Sequence, residues 1–208
     1  MHHHFGPTLT QHRQLLVKQR HELAEWFGFE TRNKYEIFTS TGQTVAFAAE
    51  QGKGILGLML RQLLGHWRSF ELHFFTPERQ EFMRAVHPFR WYFEELVVQD
   101  QQGRSLGRIV KRFSILSKRF AVYDAHNQVI MEVASPIWKI WTFPFVKQGR
   151  TVAVVKKKWT GLLREAFTDK DTFAIEMEDG SLNENVRRLL LAAALYIDLM
   201  YFEKKANT

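Results

Sequence analysis

Carboxylates crowd one stretch near the C terminus: in "TDKDTFAIEMEDG", residues 168–180, Asp169, Asp171, Glu176, Glu178 and Asp179 stand close together. Such a cluster suits a calcium site, a general acid–base pair, or a turn whose acids cap backbone N–H groups. Calcium takes roughly six to eight oxygens, and here Phe and Met interrupt the acids. Acid–base work needs partners, yet neither a nucleophile motif nor a Gly-rich phosphate loop accompanies the stretch. Phe173, Ile175 and Met177 alternate with Ala174, Glu176 and Glu178, which is how a half-buried strand reads. A capped turn feeding a strand is the stronger reading. The alternative is weak calcium binding by Asp169 and Asp171, with Glu176, Glu178 or Asp179 assisting.

The second chemistry is attraction to anions. Arg108, Lys111, Arg112, Lys118, Arg119, Lys156, Lys157 and Lys158 are headgroup-binding candidates. A Lys or Arg near an anionic bilayer is worth about 1 kcal/mol, so several converging on one face would bind, whereas scattered they only solubilise. The third is contact with lipid. "GKGILGLMLRQLLGHW", residues 52–67, as a helix puts Ile55, Leu56, Met59, Leu60, Leu63, Leu64 and Trp67 on one face. It suits either a membrane surface or a cover over one end of the fold. Aromatic residues beside cations follow two Pro corners, in "PFRWYFEE" and "PIWKIWTFPFVK". Trp91, Trp141, Phe143 and Phe145 are expected to point outward to the headgroup layer, with aromatic strands in a wall as the alternative.

The rest of the chain must position these groups. Its 208 residues are 45% apolar, enough for one large core, and carry a net charge of +7, which favours anionic partners. Cysteine is absent, which excludes disulfides, thiolate metal sites, cysteine nucleophiles and palmitoyl anchors. His2, His3 and His4 are set aside, as native residues or a shortened tag, with 1–9 read as a flexible segment. From Leu189 to Phe202 the apolar run would reach only about 21 Å as a helix, short of a membrane span, and Asp198 interrupts it.

Residues 10–27 read as a helix capped by Thr10, with Leu15, Leu16, Gln19, Leu23 and Trp26 along one side. From Tyr35 the rhythm is β, in short alternating runs separated by turn residues. "GRSLGRIVKRF" (103–113) aligns without gaps on "GRTVAVVKKKW" (149–159), and the residues upstream agree, giving two β repeats at about 70–113 and 120–159. Copies of such a unit predict a closed or nearly closed structure, because each alone leaves edges unpaired. "RRLLLAAALYIDLMYFEKK" is apolar on nearly every side, so a helix at about 183–203 must be buried. Leu190, Ala193, Ala194, Ile197, Asp198 and Tyr201 are expected within the barrel, with Arg187, Arg188, Lys204 and Lys205 at the helix's wet ends.

"QLLVKQRHELAEWFGFETRNKYEIF", "GQTVAFAAE", "KWTGLLREAFTDKDTFAIE" and "ALYIDLMYFE" resemble the phospholipid scramblase family, in family order from about residue 13 to 204. The chain looks like a cysteine-free, bacterial-type member. What the resemblance implies is a tubby-like fold, an antiparallel barrel of about twelve strands around a hydrophobic C-terminal helix. It also implies calcium-stimulated, energy-independent movement of phospholipid between leaflets. The family's calcium segment maps onto Asp169, Asp171, Phe173, Ile175, Met177 and Gly180, where only the first two offer side-chain carboxylates. The palmitoylated cysteine clusters and proline-rich arm of the family are missing.

These readings converge on a mainly β, tubby-like domain over 10–205 that is not an enzyme. Its expected partner is an anionic phospholipid surface, and it is expected to be cytoplasmic, peripheral to the inner face of the membrane. Nucleic acid and a homo-oligomer are further partners weighed, and no small-molecule substrate is expected. The alternative is a binding module recognising phosphoinositide headgroups or nucleic acid through a basic face, without transport.

Overall fold

The computed structural model describes residues 6–20, 31–51, 69–88, 94–139, 141–157 and 172–202. Twelve strands follow in chain order: β1 Gln14–Gln19, β2 Thr31–Phe38, β3 Thr44–Gln51, β4 Phe70–Phe75, β5 Glu81–His87, β6 Glu95–Asp100, β7 Ser105–Arg112, β8 Ser117–Asp124, β9 Val129–Pro136, β10 Thr142–Lys147, β11 Arg150–Lys157 and β12 Thr172–Met177. Each pairs antiparallel with its sequence neighbours, and β1 pairs with β12 to close the barrel. Closure leaves no free edge, as the internal repeat requires. The aligned segments become β7 and β11, each entered through a left-handed glycine, Gly103 at φ 77° and Gly149 at φ 78°.

The helix α1, Glu184–Ile197, fills the interior and opens into a wider π turn over Asp198–Phe202. Every residue from Leu189 to Ile197 is at most 1% exposed. Leu190, Ala193, Ala194 and Ile197 pack with inward strand residues such as Leu15, Ile37, Phe74, Ile109, Val122 and Val155. Asp198 is also buried and Tyr201 half-buried. Gly107 marks the tightest approach: at φ 147°, a Cβ there would lie 2.2 Å from the Tyr123 carbonyl oxygen and 3.0 Å from Leu189 Cδ1.

Alternation gives the wall opposite chemistry on its two faces. Glu36, Arg84, Arg108, Glu132 and Lys156 lie on the outward side of strands whose alternate residues belong to the core. A barrel standing in lipid has the reverse arrangement, apolar outside. Among the described residues no helix is long and apolar enough to cross a membrane.

Two expectations are corrected. The helix expected at 10–27 is instead a short 3-10 turn at Leu9–Gln11 followed by β1, while 21–30 lie outside the described residues. Pairing with β12 and β2 overrides local helix propensity, because β1 is the strand that closes the barrel. Arg187 and Arg188, expected in water, are 1% and 2% exposed. Arg187 instead donates from Nε to Leu182 O at 2.8 Å and from Nη1 to Leu9 O at 3.1 Å and His12 O at 2.6 Å. Arg188 Nε lies 3.6 Å from Glu184, and its guanidinium stands over Phe82. Both arginines tie the start of α1 to the N-terminal segment and the wall. Lys204 and Lys205 lie outside the described residues.

Candidate functional site

Up-and-down topology sorts the connections between two ends. At the end where α1 enters, β2–β3, β4–β5, β6–β7 and β8–β9 are joined by one repeated turn. Its first residue, Thr39, Thr76, Asp100 or Asp124, accepts from the N–H four residues on through its side chain. Its fourth residue, Gly42, Arg79, Gly103 or Asn127, takes a positive φ. This is the three-residue hairpin with a bulge, and the register shifts beside each turn. Burial would raise the Asp100 carboxyl, but hydrogen bonds from Arg104 and the Gln102 N–H outweigh it and hold the group below the usual carboxylate range.

The other end, where α1 stops, is where β1 joins β2, β3 joins β4, β5 joins β6, β7 joins β8, β9 joins β10 and β11 joins β12. Its inner rim is polar. Lys111 pairs with Glu94. Lys118 Nζ stands 5.0 Å over the Phe143 ring and 4.9 Å over Tyr201, and Lys157 Nζ 5.3 Å over Trp141. Tyr35 donates to Asp198 Oδ2 at 2.8 Å, and Gln19, Asn33 and Glu50 form a chain with bonds of 3.0 and 2.6 Å. Burial, then the Glu94 charge, push the Tyr201 hydroxyl up to about 12. The β9–β10 ladder reaches only Phe145↔Val133 and Val146↔Glu132, so Pro144 sits where no N–H is required of it. Above that point buried Ser135 donates to Thr142 O at 2.6 Å.

The basic candidates therefore divide. Lys111, Lys118 and Lys157 face the inner rim, and Arg112 and Arg119 lie outside on the β7–β8 hairpin at the same end. Arg108 is committed to Glu95 at 3.2 Å and stacks on Tyr123. Lys156 is committed to Glu176 at 2.6 Å. Lys158 lies outside the described residues.

The acids do not converge. β12 runs extended through the middle of the segment, and Phe173, Ile175 and Met177 are buried in the core where calcium-loop ligands would stand. Glu176 is held by Lys156 and by Gln14 at 3.0 Å, Glu178 is exposed, and Asp179 caps the Ser181 N–H at 2.8 Å. Among the described residues no group of three or more metal-ligating side chains forms. Asp169 and Asp171 lie outside them.

The lipid-contact candidates need a larger correction. Phe143 and Phe145 are fully buried against the core, because β10 begins only at Thr142 and the irregular connection before it reverses the expected alternation. Trp141 is half-buried beneath Lys157, while Trp138 is 71% exposed. Ile55, Leu56, Met59, Leu60, Leu63, Leu64, Trp67 and Trp91 lie outside the described residues. Sequence reasoning missed Phe113, Ile115 and Leu116, three exposed apolar residues in the β7–β8 connection. The signal was available in "KRFSILSKR", apolar residues in a short connection with cations on both sides.

A closed twelve-strand antiparallel barrel around its own C-terminal helix is the architecture implied by the resemblance. A Scramblase family model matches residues 3–204, nearly the whole chain. The chain belongs to the Scramblase family. Phospholipid scramblase 1 of Rattus norvegicus is 30% identical over 214 residues, covering 96% of this chain and 62% of that protein. The Homo sapiens protein of the same name is also 30% identical, with 96% and 66% covered. A phospholipid scramblase family protein of Schizosaccharomyces pombe is 23% identical, with 96% and 61% covered. This Scramblase-family chain thus spans about 62 to 66% of the length of those two phospholipid scramblase 1 proteins. An X-ray structure of an Arabidopsis thaliana protein aligns over 94% of this chain and 92% of that one, at 11% identity and a TM-score of 0.45.

Proposed function

We propose that this chain binds phospholipid membranes peripherally and promotes bidirectional movement of phospholipid between leaflets. The observation that carries the reading is the Scramblase-family match along residues 3–204. Physical chemistry limits how it would work. A headgroup must cross about 30 Å of hydrocarbon, and the barrel interior is filled by α1, so lipid would not pass through the barrel. The charged outer wall also argues against standing in the bilayer core. Lipid movement would occur beside the protein, where a surface-bound barrel or an oligomer of it thins and disorders the bilayer.

Vesicles with a fluorescent lipid in both leaflets, reduced from outside by dithionite, test this. Purified protein should drive bleaching past the outer-leaflet half. Vesicle binding with bleaching stopped at that half would reduce the function to the alternative, a binding module for anionic headgroups. Calcium stimulation would have to come from Asp169 and Asp171 with oxygens from outside β12. A calcium response unchanged in the Asp169→Asn, Asp171→Asn double variant would remove it from the account.

A further inference from the structure

Two connections at the helix-exit end lie side by side, 113–116 between β7 and β8 and 137–141 between β9 and β10. The Ile137 N–H donates to Leu116 O at 3.2 Å, and Ser117 pairs with Pro136 in the ladder just below. Phe113, Ile115, Leu116 and Trp138 are 92, 78, 70 and 71% exposed, and Ile137 is 48% exposed. Among the described residues one other large apolar side chain is exposed, Val129, and it lies at the opposite end. Single exposed apolar residues need no explanation, but five gathered on two adjacent tips do.

The surroundings say what would cover them. Arg112, Arg119 and Lys139 are exposed beside the tips, and among the described residues none has an acidic partner. From Arg104 to Tyr123 the sequence holds no Asp or Glu at all. An apolar tip inside a cationic collar matches an anionic bilayer, where rings and aliphatic chains reach the acyl boundary while cations stay at the phosphates. Nucleic acid would use the cations but has no place for Ile115 and Leu116. A second copy meeting tip to tip would press the two collars of like charge together.

We propose that the paired tips at 113–116 and 137–139 are a docking surface that inserts into anionic phospholipid bilayers. The proposal rests on the membrane reading above and deepens it by giving the barrel an orientation. Docked this way, Tyr201 in the π turn beyond α1 and the rim lysines Lys118 and Lys157 face the headgroups, and the repeated tight turns face away.

The lack of cysteine gives a site-specific test, since one introduced cysteine labels one place. An environment-sensitive fluorophore on Ile115→Cys should shift to the blue with phosphatidylcholine–phosphatidylserine vesicles and respond far less without phosphatidylserine. The same label on Ala125→Cys, in the β8–β9 turn at the opposite end, should not shift. The Phe113→Ser, Trp138→Ser double variant should melt like the wild type and bind these vesicles about tenfold or more weakly. Wild-type protein that sediments with the vesicles while the label at 115 stays in water, or while the double variant binds equally well, would overturn this surface and leave the membrane reading standing. Wild-type protein that binds no vesicles would overturn both. A blue shift produced by duplex DNA or by raised protein concentration, and not by vesicles, would also overturn the proposal.

Discussion

At one end of the barrel four connections repeat a single hydrogen-bonded turn, Arg187 fastens the start of α1 to the N-terminal segment, and Arg188 stands over Phe82 of the wall. At the other end the β9–β10 ladder stops early, and apolar side chains stand in water inside a cationic collar. The first end satisfies its backbone internally and gains stability from doing so. The second leaves apolar surface and charge uncompensated, which lowers stability unless another phase covers them. One fold thus separates the work of holding the helix from the work of meeting a surface.

If that separation is right, damage at the helix and its entry should cost folding, and damage at the tips should cost binding alone. The largest effect is expected from Gly107→Ala. Its Cβ would sit 2.2 Å from a backbone carbonyl that cannot rotate away, so a loss of about 3 kcal/mol in chemical denaturation is expected. Next is Arg187→Met, which strands the carbonyls of Leu182, Leu9 and His12 and should cost about 2 kcal/mol, read as a lower melting temperature.

Asp100→Ala should cost about 1 kcal/mol at neutral pH, because two turn N–H groups lose their acceptor. The carboxyl's folded pKa lies below its unfolded value, so its contribution is present above the unfolded value and fades as pH falls through the folded one. The stability gap between wild type and Asp100→Ala should therefore narrow below about pH 4. A gap constant through that range would mean the charge does nothing for the turn. The smallest effect should come from Phe113→Ser and Leu116→Ser, within about 0.5 kcal/mol of wild type. A larger loss at the tips than at Asp100 would erase the distinction between the ends.

What could be read in advance follows the same division. The barrel and its plug were legible because they rest on periodicity and repetition: a run apolar on all sides from Leu189, and a strand entered twice through Gly-Arg. β1 was misread because Leu15, Leu16 and Gln19 suit a helical face equally well, and only pairing with β12 decides against it. Arg187 and Arg188 were assigned to water because a charge at a helix end usually is, whereas here three carbonyls and a ring receive them. Phe143 and Phe145 point inward against expectation because no continuous strand alternation runs through "PIWKIW", where the ladder has ended. The exposed tips escaped because a four-residue connection has no period, and a burial rule reads its apolar residues as core.

The central claim is that α1 is sheathed by protein strands and stays so when the chain meets a membrane. Hydrogen exchange read by mass spectrometry, with and without phosphatidylserine-containing vesicles, tests it most directly. The expected result is slow exchange across Leu189–Ile197 at the same rate in both conditions, with 113–117 and 137–139 slowing only when vesicles are present. Rapid exchange of that helix in the free protein, or vesicles that change its exchange while the tips stay fast, would contradict it.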